Sequence, residues 1–149
     1  MLQDEQKQQE FNPVMKWIYG IRIDDIRYPL DYRKTQYYKA ANEKFIYICG
    51  KSVVVLYPKL NMQNNYTHHT KPVSCIEIAS CDQVVASGEM GFYPSIHVWH
   101  MKTTKCIQKF DKVHKNSVRM LKFLSGGELL ATIGEKYNSS LVILNIRTK

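Results

Sequence analysis

Shifted against itself by 45 places, the second half of this 149-residue sequence comes back into line with itself. His69 falls on His114, Val73 on Val118, Ile76 on Leu121, Ile78 on Phe123 and Ser80 on Ser125. Further along, Ala86 meets Ala131, Ser87 meets Thr132, Val98 meets Ile143 and Trp99 meets Leu144, while Asp82 falls on Gly127 at turn positions. The match needs no gap. β-Branched residues dominate it and turn residues interrupt it every few positions, which excludes a helical repeat. A period of about 40–45 residues fits a unit of four short strands.

The local patterns supply those strands. "PVSCIEIA" (72–79) and "SVRMLKFL" (117–124) alternate as first strands, followed by the turns "CDQ" and "SGGE". "VVASG" and "LLATIG" read as second strands, "SIHVW" and "SLVILNI" as third, and "KCIQKF" (105–110) as a fourth. The third strands are bulky or apolar at nearly every position, as expected where a neighbouring sheet covers each face. The pattern predicts propeller blades. Upstream, "KFIYICG" (44–50) and "KSVVVLYP" (51–58) form a hairpin about Gly50-Lys51, which "NNYTHH" (64–69) would close into a degenerate blade. The predicted fold is all-β: a partial propeller of two to three four-stranded blades plus an N-terminal hydrophobic lead-in. Its divisions are a polar tail (1–10), the lead-in (11–43), a degenerate blade (44–69), a blade (70–113) and a blade lacking its last strand (114–149). A ring takes typically 4–8 blades, so the chain is expected to be an arc of a larger propeller. The remaining blades would come from the same or another chain.

The order of residues within a blade resembles the WD40 repeat: His before the first strand, Ser on the second, Trp ending the third. A tryptophan between blades buries a large apolar area, but its indole N–H needs an acceptor. In that family a hydroxyl on the adjacent strand accepts it and the histidine engages the hydroxyl. His69, Ser87 and Trp99, with His114 and Thr132 in the next repeat, are therefore read as a structural, tetrad-like set. His100 stands where the family has Asp, Leu144-Asn145 replaces Trp-Asp, and Thr132 replaces Ser. The second hydrogen-bonded chain is thus expected to be broken, and Glu89 is a candidate substitute for the missing Asp in the first.

Three stretches carry a narrower resemblance. "WIYGIRIDDIRYPLDY" (17–32) resembles the Tyr-Gly-(Tyr)-Arg segment ahead of the first blades in the echinoderm microtubule-associated protein-like family, with Tyr19, Gly20 and Arg22 matching and Ile21 in place of the second tyrosine. "FIYICGKSVVVLY" (45–57) is similar to that family's next segment. "ASGEMGFYPSIHVWH" (86–100) matches the Gly-Glu-x-Gly-x-x-Pro form of its axonemal relatives. What the resemblance implies is a non-enzymatic scaffold of the cytoskeleton, in the cytoplasm and the cilium or axoneme, whose partners are proteins such as tubulin or axonemal components. A general WD40 adaptor with no cytoskeletal role is the alternative.

Charge bears on the partner. The chain carries 21 basic and 13 acidic side chains, for a net charge of +8, which favours an acidic partner without identifying it. Lys102, Lys105, Lys109, Lys112, Lys115, Arg119 and Lys122 crowd one stretch against a single acid, Asp111. That run reads either as a contact with an acidic protein surface or as a solvated outer strand whose lysines discourage edge-to-edge pairing. It lacks interleaved stacking aromatics, so no nucleic-acid partner is expected. Tyr28, Tyr32, Tyr37, Tyr38 and Tyr47 read as lead-in core or as a protein interface.

Catalysis is not expected. Paired carboxylates, a phosphate loop and an orienting acid for a Ser-His pair are all missing from the pattern, and an enzyme, a cofactor and a metal are each predicted absent. The cysteines (49, 75, 81 and 106) have no metal-ligand spacing and are read as reduced, buried thiols of an intracellular compartment. His97 and His100 fall on opposite strand faces because their offset is odd. No apolar run reaches the roughly eighteen residues of a membrane span, so no membrane partner is expected. "MLQDEQKQQEF" reads as a frayed tail or linker stump rather than a secretory signal.

Overall fold

Gly50 sits at φ +58°, a left-handed conformation that glycine reaches without steric cost. It closes the two-residue turn between β1 (Phe45–Cys49) and β2 (Ser52–Tyr57); β3 (Met62–Tyr66) follows after a 3-10 turn, Pro58–Leu60. The computed structural model describes residues 17–20, 44–135 and 140–147. The polar tail (1–10) and most of the lead-in, residues 11–16 and 21–43 with Arg22, Tyr28, Tyr32, Tyr37 and Tyr38, lie outside them.

Two further sheets follow along the chain. The second runs in the order β4 (Val73–Ile78), β5 (Val84–Glu89), β6 (Ser95–His100), β7 (Cys106–Asp111). The third contains β8 (Val118–Phe123), β9 (Leu129–Gly134) and β10 (Leu141–Asn145). The described residues thus make ten strands in three antiparallel sheets, the all-β arc of a partial propeller. No helix among them is long and apolar enough to cross a membrane.

The 45-residue repeat returns as strand register. Ile76 pairs with Ser87 and Ile78 with Val85; 45 places on, Leu121 pairs with Thr132 and Phe123 with Leu130. Val85 opposes Trp99 as Leu130 opposes Leu144. Even the bulge recurs, between Val73 and Cys75 and again between Val118 and Met120. A one-residue slip would turn every core side chain to the opposite face, so the duplicated register duplicates the packing. The first sheet loses the period because Gly50-Lys51 is a two-residue turn where residues 90–94 form a five-residue loop. The connection from β3 to β4 mirrors that from β7 to β8. The described residues therefore give the outer three strands of the first blade and the inner three of the third.

Alternation along β5 and β6 builds two cores. Val85 and Trp99 face the first sheet, packing with Ile46, Ile48, Val53 and Tyr66. Ala86 and Val98 face the third, packing with Val118, Leu121 and Leu130. Every position of Ser95–Trp99 is buried, as the bulky composition of that strand requires, whereas β10 alternates between exposed and half-buried. Each fully buried aliphatic chain contributes about 1.5–3 kcal/mol. At the closest approach of the second and third sheets, a Cβ on Gly88 would lie 2.7 Å from Val118 Cβ. Only glycine fits there.

The cysteines differ from expectation. Cys75 is buried, and burial pushes its thiol up to about 12. Cys81 and Cys106 are exposed and Cys49 is intermediate. Cys81 lies in the β4–β5 turn and Cys106 on the outermost strand.

Candidate functional site

Strand β5 places Ser87 and Glu89 on the face that looks toward the segment between β3 and β4, where His69 stands. Trp99 Nε1–H donates to Ser87 Oγ at 3.0 Å, and Ser87 Oγ lies 2.6 Å from His69 Nε2. His69 Nδ1 is 3.2 Å from Glu89 Oε1. A carboxylate can only accept, so His69 Nδ1 carries the proton and donates; Nε2 then accepts the Ser87 hydroxyl proton. The chain runs in one direction, from indole to carboxylate.

Glu89 ends it by gathering donors. Oε1 accepts from Thr70 N at 2.9 Å and Lys71 N at 3.3 Å, and Oε2 accepts from Ser95 N at 3.0 Å. Burial alone would raise this carboxyl, but the bonds from His69, Ser95 and Thr70 outweigh burial and hold it well below the usual carboxylate range. One buried carboxylate thereby fixes both the segment before β4 and the start of β6.

A second aromatic layer lies against the chain. Tyr66 stacks on Trp99 at 4.4 Å and 7°, and its hydroxyl lies 2.9 Å from His97 Nδ1. His69 and His97 stack at 4.0 Å and 15°. Ligand atoms of His69, Glu89 and His97 lie within 4.8 Å of one another, but a metal binds in the plane of an imidazole at about 2.1 Å. Two stacked rings share no such point. As arranged, the three side chains hold protons and pack. His97 Nε2 is buried without a partner, and burial, reinforced by the neighbouring His69, lowers the His97 pKa to about 4.

Ser87, His69 and Glu89 reproduce the connectivity of a hydrolytic triad, with Glu89, the acid the sequence offered for the buried chain, in the orienting place that the Ser-His reading had left empty. Access separates the two cases. Ser87 is 0% exposed and its oxygen already accepts the indole proton. An attacking hydroxyl needs room for a carbonyl carbon at about 3 Å, and Trp99 fills that space.

In the next repeat the expectation of a broken chain is half right. His114 Nε2 lies 3.0 Å from Thr132 Oγ1, both buried. Leu144 stands where the indole would be and asks for no acceptor, so the chain ends at the threonine. Ser140 Oγ, 3.3 Å from His114 Nδ1, takes the place of the acid.

The seven cations of 102–122 are spread over two strands and two loops. Lys102 and Lys105 lie in the β6–β7 turn, Lys109 on the outermost strand β7, and Lys112 and Lys115 in the following loop. Arg119 and Lys122 are on β8, beside the innermost strand β4. At about 4.8 Å per strand, β7 and β4 are roughly 14 Å apart. Lys109 pairs with Asp111 at 3.1 Å and Lys122 with Glu77 at 2.9 Å.

Sequence reading passed over the partnership of Tyr66 and His97, because the 45-residue shift sets Tyr66 on Asp111 and His97 on Val142 and marks neither. It had no signal for the groove between the first two sheets. That groove, about 420 Å³, is lined by Tyr57, Leu60, Met62 and Met101 with Lys44, Lys102 and His100 at its rim.

No family model matches the chain. It is 27% identical over 99 residues, 66% of its length, to WD repeat-containing protein 90 of Xenopus tropicalis. The fold is a partial WD40 propeller. Cilia- and flagella-associated protein 52 of Mus musculus is 30% identical over 107 residues, 70% of this chain, and that of Chlamydomonas reinhardtii 28% over 81 residues, 52% of the chain. The chain spans 5% of the Xenopus protein, 17% of the mouse protein and 13% of the algal one. Glu89 closes the buried chain from the end of β5.

Acid should loosen this WD40 interface. His97 takes a proton in the unfolded chain near pH 6.5 but in the fold only near pH 4, so stability is lost as pH falls between those values. The loss is about 2 kcal/mol by pH 4.5. Burial lowers the His114 pKa too, adding in the same direction. The depressed Glu89 carboxyl stabilises the fold above its unfolded pKa of about 4.3, and that contribution fades below it. Urea midpoints at pH 7 and pH 4.5 measure the loss, and His97→Gln should remove much of it.

Proposed function

We propose that the chain is a non-enzymatic WD-repeat scaffold that binds protein partners in the cilium or axoneme and associates with microtubules. The observation that carries this is its 30% identity to a cilia- and flagella-associated protein over 70% of its length. The site supports it: His69, Ser87, Trp99, His114 and Thr132 act as structural ties between strands and sheets, with no open reaction space. The residues matching the echinoderm microtubule-associated protein-like family, Tyr19, Gly20 and the 86–100 stretch, support the microtubule part. So does the net charge of +8 against tubulin's acidic outer face. Leu141 and Ile143 stand uncovered on the third sheet, 64% and 56% exposed. On this reading they are covered by a further blade of the same or another chain.

A second reading, a peptide-binding adaptor without a cytoskeletal role, is favoured by the groove between the first two sheets, where Leu60 and Met62 are exposed. Co-sedimentation with taxol-stabilised microtubules separates the two. The scaffold should pellet at low salt and release as salt screens its exposed charges. Failure to pellet at low salt favours the adaptor.

A further inference from the structure

Phe92 and Tyr93, in the loop between β5 and β6, are 71% and 56% exposed, yet the backbone beneath them is held from both sides. Met90 N donates to Pro72 O at 2.8 Å, and Lys71 Nζ donates to the carbonyl oxygens of Phe92 and Tyr93. From the third sheet's side, Gly91 N donates to Ser117 Oγ at 2.8 Å and Tyr93 N to Lys115 O at 2.9 Å. Tyr93 lies at φ +48°, a left-handed conformation that costs a residue with a Cβ about 1–2 kcal/mol. Pro94 follows, and Glu89 takes the Ser95 amide.

The loop therefore spends backbone strain and five hydrogen bonds to hold two aromatic rings out in water. Folding alone gains nothing from that exposure. Strain held in place by its surroundings is a mark of ligand clamps and recognition sites. Aromatics on a fixed backbone supply large contact area at low entropic cost.

We propose that this tip is the docking point for an acidic protein surface. The inference rests on the scaffold reading above and deepens it by naming the contact. Charge selects the partner: Lys112 and Lys115 are exposed in the loop that anchors the tip, and Lys71 lies beneath it. The acids at hand are Glu135, exposed beside Ser117; Glu89, buried; and Asp111, engaged by Lys109 and Ser95. A protein is preferred to a nucleic acid because single-stranded chains bind along a charged groove that tracks their backbone. Here the rings cap a projection with cations at its base.

The test uses the full chain and taxol-stabilised microtubules as the acidic surface. F92A/Y93A should weaken pelleting at least tenfold, as expected for two central aromatic anchors, and K112E/K115E should weaken it and flatten its salt dependence. The ring-preserving exchange F92Y/Y93F should bind as the native chain does. Melting curves of all variants should stay close to native, since neither ring is buried. Native pelleting that F92A/Y93A leaves unchanged overturns the docking tip and spares the microtubule reading; no pelleting by the native chain overturns both. Tight binding of a single-stranded oligonucleotide that F92A/Y93A abolishes overturns the choice of a protein partner.

Discussion

Replacing Trp99 with alanine should lower the unfolding free energy by about 3–5 kcal/mol, the range for truncating a large aromatic in a packed core. The ring is 0% exposed, lies flat on Tyr66 and belongs to the core that joins the first and second sheets. Its removal opens a cavity at that joint and leaves Ser87 without its donor. Trp99→Phe separates the two effects. It keeps most of the stacking area and loses the indole N–H, so the expected cost is about 1–2 kcal/mol. Urea titration followed by far-ultraviolet circular dichroism measures both variants. A Trp99→Ala loss below about 1 kcal/mol would mean that the ring does not sit between the sheets.

Glu89→Ala should cost about as much, 3–5 kcal/mol by the usual measure for breaking a buried charged network (about that range when one partner is removed). The amides of Thr70, Lys71 and Ser95 and the His69 ring all lose their acceptor at once. The effect has a location as well as a size. Hydrogen exchange should quicken at residues 70, 71 and 95, at one end of the second sheet, while β8 and β9 stay protected at low denaturant. Equal loss of protection in the third sheet would show that the two inter-sheet cores do not open independently.

Much of this was legible in the sequence because the repeat is written in register-determining residues. Val73, Ile76, Val85 and Trp99 fix which face each strand turns to its neighbour, and their partners 45 places on fix the next sheet the same way. His69, Ser87 and Trp99 could be named because an indole buried between sheets must find an acceptor. Glu89 was harder to place. Its role depends on where the 70–72 segment and Ser95 return in space, which no spacing encodes.

Other features were only loosely set by the sequence, for physical reasons. The first sheet escaped the period because its Gly50-Lys51 turn is three residues shorter than the corresponding 90–94 loop. The basic run looked continuous because sequence order ignores that β7 is the outer edge of one sheet and β8 the inner edge of the next. His114 bonds to Thr132 with Leu144 in the indole's place, since a histidine and a hydroxyl satisfy each other without an indole. Exposed Cys81 and Cys106 occupy a turn and an outer strand, places where an apolar sequence context says little about burial.

The fold as a whole depends on three sheets packed face to face in sequence order. Through-space proton contacts in the isotope-labelled full chain test that most directly, at two points. The Trp99 indole should show contacts to the Tyr66 ring, across the first and second sheets, and the Gly88 α-protons should show contacts to the Val118 methyl groups, across the second and third. Both together are the expected result. Absence of either, with the Trp99 indole proton exchanging as fast as that of a free side chain, would contradict it.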